Sequence, residues 1–194
     1  MDNTYSNETY LQYILANCAA PVLAKKKPAG LMTVWKHHLH NFDMNEYIQT
    51  GALSYRNDSS MEILLETKLY YLLFCYQEEQ LVYELENIKN SDMLSEYTSL
   101  TKIQDKIDLL KEKMHTYWAI GSDFPHEVGL FLGYPVWDVK GFIEHKGQQY
   151  KLCGYWKVYD DVPGALCKFE EYDWIKKCAL ERFYKDLNRN NQKI

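Results

Sequence analysis

The sequence predicts an α/β fold, a small mixed sheet of about three or four strands flanked by helices and including a helix-turn-helix hairpin. Three observations carry that expectation. Lys68 to Tyr76 is a nearly continuous apolar run, the pattern of a central strand covered on both sides. Glu8 to Cys18 and Ser91 to His115 place apolar residues every three or four positions, the spacing of amphipathic helices. Tyr150 to Tyr159 alternates between two faces, the spacing of a strand. Strands interleaved with helices favour two or three layers around one sheet. No Gly/Ser/Pro linker or internal repeat divides the chain, so residues 1–194 are expected to form a single domain.

Taken in order, the first helix has Tyr10, Leu11, Ile14, Leu15 and Cys18 on one face, and Pro21 is expected to close it. Lys25 to Gly30 reads as a loop and Leu31 to Trp35 as a short strand. Asp43 is placed to cap a short helix that ends at Gly51, followed by loop from Arg56 to Ser60. After the central strand, a helix is expected from Glu78 to about Lys89. Ser91 to His115 should then form one long helix, with Met93, Tyr97, Leu100, Ile103, Ile107, Leu110 and Met114 along its apolar stripe. In the segment from Phe124 to Ile143, Gly133 suits a helix C-terminus and Pro135 the first turn of the next helix, which predicts the hairpin. A last helix should run from Pro163 to about Leu187.

Composition removes several function classes. Hydrophobic residues make up 46% and charged residues 25%, enough apolar material for a core and against intrinsic disorder. The formal net charge of −5 argues against a general nucleic-acid binder, which needs a basic stripe to displace counterions from phosphates. The five cysteines are irregularly spaced, with no CxxC pair, which fits a reducing cytosol better than a disulfide framework. No basic segment followed by an apolar stretch begins the chain, and no apolar run can span a bilayer, so a cytoplasmic protein with no membrane partner is expected. Neither GxGxxG nor GxxxxGK[ST] occurs, so ordinary dinucleotide and nucleotide sites are unsupported and no cofactor is assigned.

Three blocks, Cys18 to Ala29, Phe124 to Val139 and Cys153 to Tyr159, together resemble a bacterial family catalogued as domain of unknown function 3793. The resemblance covers most of the chain from Cys18 to about Tyr172 and implies a small cytoplasmic bacterial protein with no agreed activity.

Four constellations could carry chemistry. Cys18, followed by Lys25, Lys26 and Lys27, would be a thiolate nucleophile, with His126 in the first turn of a helix as base and Glu127 or Asp123 orienting it. The competing reading buries Cys18 with the rest of its helix face. The hairpin over 125–144 has the small and apolar spacing of a DNA-reading motif. Its second helix, however, offers Val136, Trp137, Asp138, Lys140 and Glu144, a poor set for base edges or phosphates. His37, His38 and His40 with Asp43 or Glu46 match no structural zinc spacing and read as solvated surface, so no metal is assigned.

The fourth set requires least coincidence. Trp137, Tyr150, Tyr155, Trp156, Lys157 and Tyr159, with Lys27 from the basic loop, form an aromatic, partly basic surface suited to a small planar ligand or a protein partner. The sequence therefore predicts a non-catalytic binding or accessory protein. A cysteine-dependent enzyme and a DNA-associated regulator are the alternatives.

Overall fold

Ser6 starts the first helix, its hydroxyl accepting the Thr9 N–H at 3.1 Å. The computed structural model describes residues 6–50 and 59–191. Its residues fall into two compact units, one of Met1–Lys26, Gly30–Gln77 and Tyr172–Ile194, the other of Lys27–Ala29 and Glu78–Glu171.

In the first unit, helix α1 (Asn7–Ile14) continues through a π-helical turn, Leu15–Ala19, into α2 (Ala20–Leu23). Pro21 therefore does not close the helix. It sits in the first turn of α2, where its missing N–H costs nothing, and the widened turn before it leaves room for the proline ring. The helix ends four residues later in a Schellman turn: Lys26 N–H reaches the Pro21 carbonyl at 2.9 Å, and Lys25 takes the left-handed position at φ 57.

Strand β1 (Ala29–Trp35) follows, then a 3-10 turn over Lys36–His38. Helix α3 (Met44–Gln49) comes next, capped as expected by Asp43, whose carboxylate accepts from Asn45 and Glu46 N–H. Gly51 and Arg56 to Asp58 lie outside the described residues, so the expected helix end and most of that loop do too. Ser59 and Ser60 are not loop. They open β2 (Ser59–Glu66), a strand that exists through its partner, Ser59 lying opposite Gln77 of β3 (Tyr70–Gln77). Thr67 turns the hairpin, its hydroxyl accepting from both Leu69 and Tyr70 N–H.

The strand order is β1-β3-β2, so the apolar run is the central strand, and the three strands run antiparallel. Met32 and Val34 from β1, Met61 from β2, and Leu73 and Cys75 from β3 meet Leu11, Leu15, Ala19 and Val22 of the helical segment. That shared cluster is the core of this unit. Cross-strand pairs Met61–Cys75 and Ile63–Leu73 hold the apolar positions in register.

In the second unit, α4 (Glu78–Asn87) is followed by a 3-10 turn over Asp92–Tyr97 and by α5 (Ile103–Ile120). The single helix expected from Ser91 to His115 is thus broken between Thr98 and Lys102. Thr98 donates its hydroxyl to the Ser95 carbonyl at 2.7 Å, a local bond that competes with helix propagation. Of the expected stripe, Tyr97, Ile107, Leu110 and Met114 are buried, while Met93, Leu100 and Ile103 are only half-buried and Leu94 takes the buried place beside Met93, because the 3-10 turn shifts which residues face inward.

The expected helix-turn-helix is present with a one-turn first helix, α6 (Val128–Phe131), and a second, α7 (Val136–Glu144), preceded by Pro135. Gly133 stands between them at φ 75, where a Cβ would overlap the Pro28 ring. His126 precedes α6 rather than lying in its first turn, because the helix begins only at Val128.

Tyr150 to Tyr159 is not one strand. It folds into the antiparallel pair β4 (Leu152–Cys153) and β5 (Lys157–Val158), with Leu152 opposite Val158 and Gly154 N–H closing on the Trp156 carbonyl at 3.0 Å. The expected parity survives only in part: Trp156 and Val158 are buried and Leu152 lies opposite Val158, but Tyr150 is 42% exposed with its ring against Lys157, because the chain turns before β4 begins. The final helix, α8 (Val162–Asn191), begins in this unit and contributes its residues from Tyr172 onward to the first. Among the described residues no helix is long and apolar enough to cross a membrane.

A lysine in the left-handed region costs about 1 kcal/mol relative to glycine. Lys25→Gly should therefore raise the unfolding free energy by about 0.5–1 kcal/mol in a urea titration. Unchanged or lower stability would mean that the Schellman turn does not end the helix in solution.

Candidate functional site

Asp138 enters α7 in its first turn and is buried, only 3% exposed, although it is a carboxylate. Burial at that cost requires donors on both oxygens. Oδ2 accepts the Trp156 indole N–H at 2.7 Å, while Oδ1 accepts Tyr159 N–H at 2.7 Å and Asp160 N–H at 3.1 Å. One side chain thereby ties α7 to the β4–β5 hairpin and satisfies the amides that leave β5.

The hairpin is held from the other side by rings. Trp156 stacks on Tyr134 with centroids 5.1 Å apart and meets Phe169 of α8 edge-on at 4.5 Å. The Tyr134 hydroxyl donates to the Tyr155 carbonyl at 3.1 Å, and burial pushes its phenol pKa up to about 12, so it remains a donor. Lys27 lies over the Tyr134 ring, 5.1 Å from its centroid.

Between α6, α7 and the hairpin lies a cavity of about 300 Å³. Phe124, Val128, Leu132, Val139, Phe142 and Trp156 supply apolar walls, and His126, Asp138, Cys153 and Lys157 supply the polar groups. His126 contacts Phe124 at 5.2 Å and Phe142 at 5.6 Å, forming a half-open aromatic rim.

Lys157 is positioned by the end of α7. That helix closes with Gly147 N–H on the Phe142 carbonyl at 2.8 Å, Gly147 adopting φ 70. The turn aims the Gly147 carbonyl at the Lys157 ammonium, which donates to it at 2.6 Å. A Cβ at Gly147 would press on the Phe142 ring at 3.0 Å, and its positive φ favours glycine as well.

The residues singled out from sequence separate accordingly. Trp156 and Lys157 line the cavity. Lys27 stands behind Tyr134, and Tyr155 contributes a carbonyl and packs its ring on Phe169 at 5.6 Å. Tyr159 stacks on His145 at 5.5 Å beneath α7, and Trp137 is 68% exposed with Lys140 over its ring. His126 and Cys153 belong to the cavity, but Glu127 does not orient the imidazole. Its buried carboxylate accepts from Tyr97 Oη at 3.1 Å and from Lys113 Nζ at 2.8 Å.

Cys18 lies in the first unit, among the partly buried residues packed on its core. Burial raises its thiol pKa, and neither the Asn17 amide hydrogen bond nor the charge of Lys176 reverses that. The thiolate expected of Cys18 is therefore disfavoured, and the cation whose charge opposes the burial is Lys176. His37, His38 and His40 are exposed around the 3-10 turn after β1, and no group of three or more His, Cys, Asp or Glu among the described residues is arranged to hold a metal.

Sequence reasoning missed Asp138, Tyr134, Phe124, Phe142 and Cys153 as parts of one site. The available signal was a carboxylate between Trp137 and Val139 in the first turn of a mostly apolar nine-residue helix.

The chain belongs to the family described as a protein of unknown function (DUF3793), whose pattern matches residues 15–191. No curated protein and no solved structure is significantly similar to it.

Lys27 is 8% exposed, and desolvation pulls its ammonium pKa from 10.5 down to about 8. Since the unfolded chain holds that proton up to higher pH, stability attributable to this site rises as pH climbs from about 8 to 10.5. The stability of the protein relative to Lys27→Met should increase across that window by up to about 3 kcal/mol, read from urea titrations at each pH. A flat difference would place the ammonium in water.

Alkylation by iodoacetamide near pH 7 should follow exposure. Cys153, Cys167 and Cys178 are exposed and should react first, Cys18 slowly, and buried Cys75, pushed up to about 12, only on unfolding. Fast labelling of Cys18, mapped by peptide mass spectrometry, would restore the nucleophile reading.

Proposed function

We propose that this protein is a non-catalytic binding protein of the bacterial cytoplasm that holds a small, planar, mostly apolar molecule in the cavity between α6, α7 and the β4–β5 hairpin. The supporting observation is the combination of a preformed apolar recess with a few convergent polar groups, the usual architecture of small-molecule sites. Its volume of about 300 Å³ suits one or two fused rings rather than a dinucleotide. The aromatic rim of Phe124, His126 and Phe142 offers ring edges and faces to a flat guest. The walls are rigid because the hairpin is fastened by Asp138 and by Trp156, so little ordering cost falls on binding.

A binding role also accounts for the chemistry of the polar groups. The buried carboxylate of Asp138 is engaged by three donors and so serves as a structural tie rather than as a free base. A cytoplasmic setting fits five cysteines that are all free thiols.

The native mass spectrum of untagged protein, compared with its denatured spectrum, should show an added mass that is lost on denaturation. For an apo preparation, a naphthalene-based probe should quench tryptophan fluorescence on titration. Cys153→Trp, which fills the cavity from an exposed rim position, should weaken that binding by about tenfold or more while leaving the far-UV spectrum unchanged. Equal binding by the variant would remove the cavity as the site.

A further inference from the structure

Lys157 brings an ammonium group to the cavity wall. Lys157 Nζ donates a single hydrogen bond, to the Gly147 carbonyl, and otherwise faces the rings of Tyr150 at 4.8 Å and Phe142 at 5.7 Å. Among the described residues no carboxylate forms an ion pair with it. The ammonium carries three donors, so two remain for a guest. Asp138 also lines the cavity, but it is not a competitor, because both of its oxygens are already occupied by Trp156, Tyr159 and Asp160. Its neighbour Lys151 is directed elsewhere, to the Asp160 carbonyl at 3.3 Å.

This pattern differs from that of two other ammonium groups of the same unit. Lys113 is held between Glu96 and Glu127 at 2.8 Å each, and Lys106 reaches Glu86 at 3.5 Å. A lysine kept at a cavity wall by a helix-end carbonyl, flanked by aromatic rings and lacking an acidic partner, is poised for an anion. One ammonium matches one carboxylate; a phosphate ester, with its larger charge, would call for more donors than the lining supplies. The adjoining Phe142 and Phe124 define where an attached ring would lie.

Building on the small-molecule reading above, we propose that the natural ligand is a planar aromatic monocarboxylate, its ring in the apolar recess and its carboxylate on Lys157, which acts as the specificity-determining residue. Lys157 selects between molecules of equal shape by charge. Partial exclusion of water at the rim strengthens that selection relative to a surface lysine.

Matched probes test this: 2-naphthoate, 2-naphthamide and 2-naphthylmethylammonium, titrated by fluorescence at low ionic strength against wild type, Lys157→Met and Cys153→Trp. Wild type should bind naphthoate about tenfold more tightly than naphthamide and the ammonium most weakly. In Lys157→Met, where the stem still packs on Phe142 and Tyr150, the naphthoate-to-naphthamide ratio should fall to about one. Equal affinity of wild type for the acid and the amide would overturn the anion proposal while leaving the cavity reading intact, and a preference that survives in Lys157→Met would do the same. If no probe binds, or if Cys153→Trp binds all three as wild type does, the cavity reading falls and the proposal with it. The wild-type comparison stands even if a variant fails to fold.

Discussion

A buried carboxylate must find donors or it cannot remain buried, and Asp138 finds three of them on a single hairpin. Removing one partner of such a cluster leaves the others unsatisfied in a low-dielectric setting, at a cost of about 1–3 kcal/mol for each group. The consequences spread outward. The indole of Trp156 is fixed in rotation by its N–H, so its faces are available to Tyr134 and Phe169 in the geometry observed. The amides of Tyr159 and Asp160 are taken up just before α8 begins at Val162. The cavity is the space left beside this fastened hairpin, and its shape follows from the fastening.

The polar chemistry of the second unit is arranged on two levels. Glu127, Tyr97 and Lys113 form a closed set in which each charge has its opposite, and nothing in it is left to meet a guest. Lys157 is the opposite case, an ammonium held by a neutral carbonyl and two rings. Coulomb attraction falls off slowly in a partly desolvated recess, so an unpaired cation there has more influence on a ligand than several paired ones at the surface. Charge distribution, rather than residue count, separates the Glu127 cluster from the surroundings of Lys157.

The first unit uses simpler means. Three antiparallel strands present Met32, Val34, Met61, Leu73 and Cys75 to a helical segment that stays continuous past a proline by opening one turn. Cys18 is part of that packing. Its thiol is disfavoured as an anion for the same reason that its neighbours are apolar.

Much of this was legible without coordinates. The apolar face of α1, the central position of β3, the Asp43 cap and the Gly133–Pro135 punctuation are all local signals, set by periodicity, capping and backbone conformation within a few residues. Family membership was legible for the same reason, carried by contiguous blocks. The break at Thr98–Lys102 and the folding of Tyr150–Tyr159 into a hairpin were not, because periodicity says which side chains must leave water and not whether the backbone bends between them. Trp156 and Lys157 were recognisable as an aromatic and basic pair, but their role depended on partners 18 and 10 residues away, Asp138 and Gly147. Local periodicity thus determined much of which residues are buried, while only the tertiary structure decided which polar groups find partners there, as Asp138 does, and which, like Lys157, have no carboxylate beside them among the described residues.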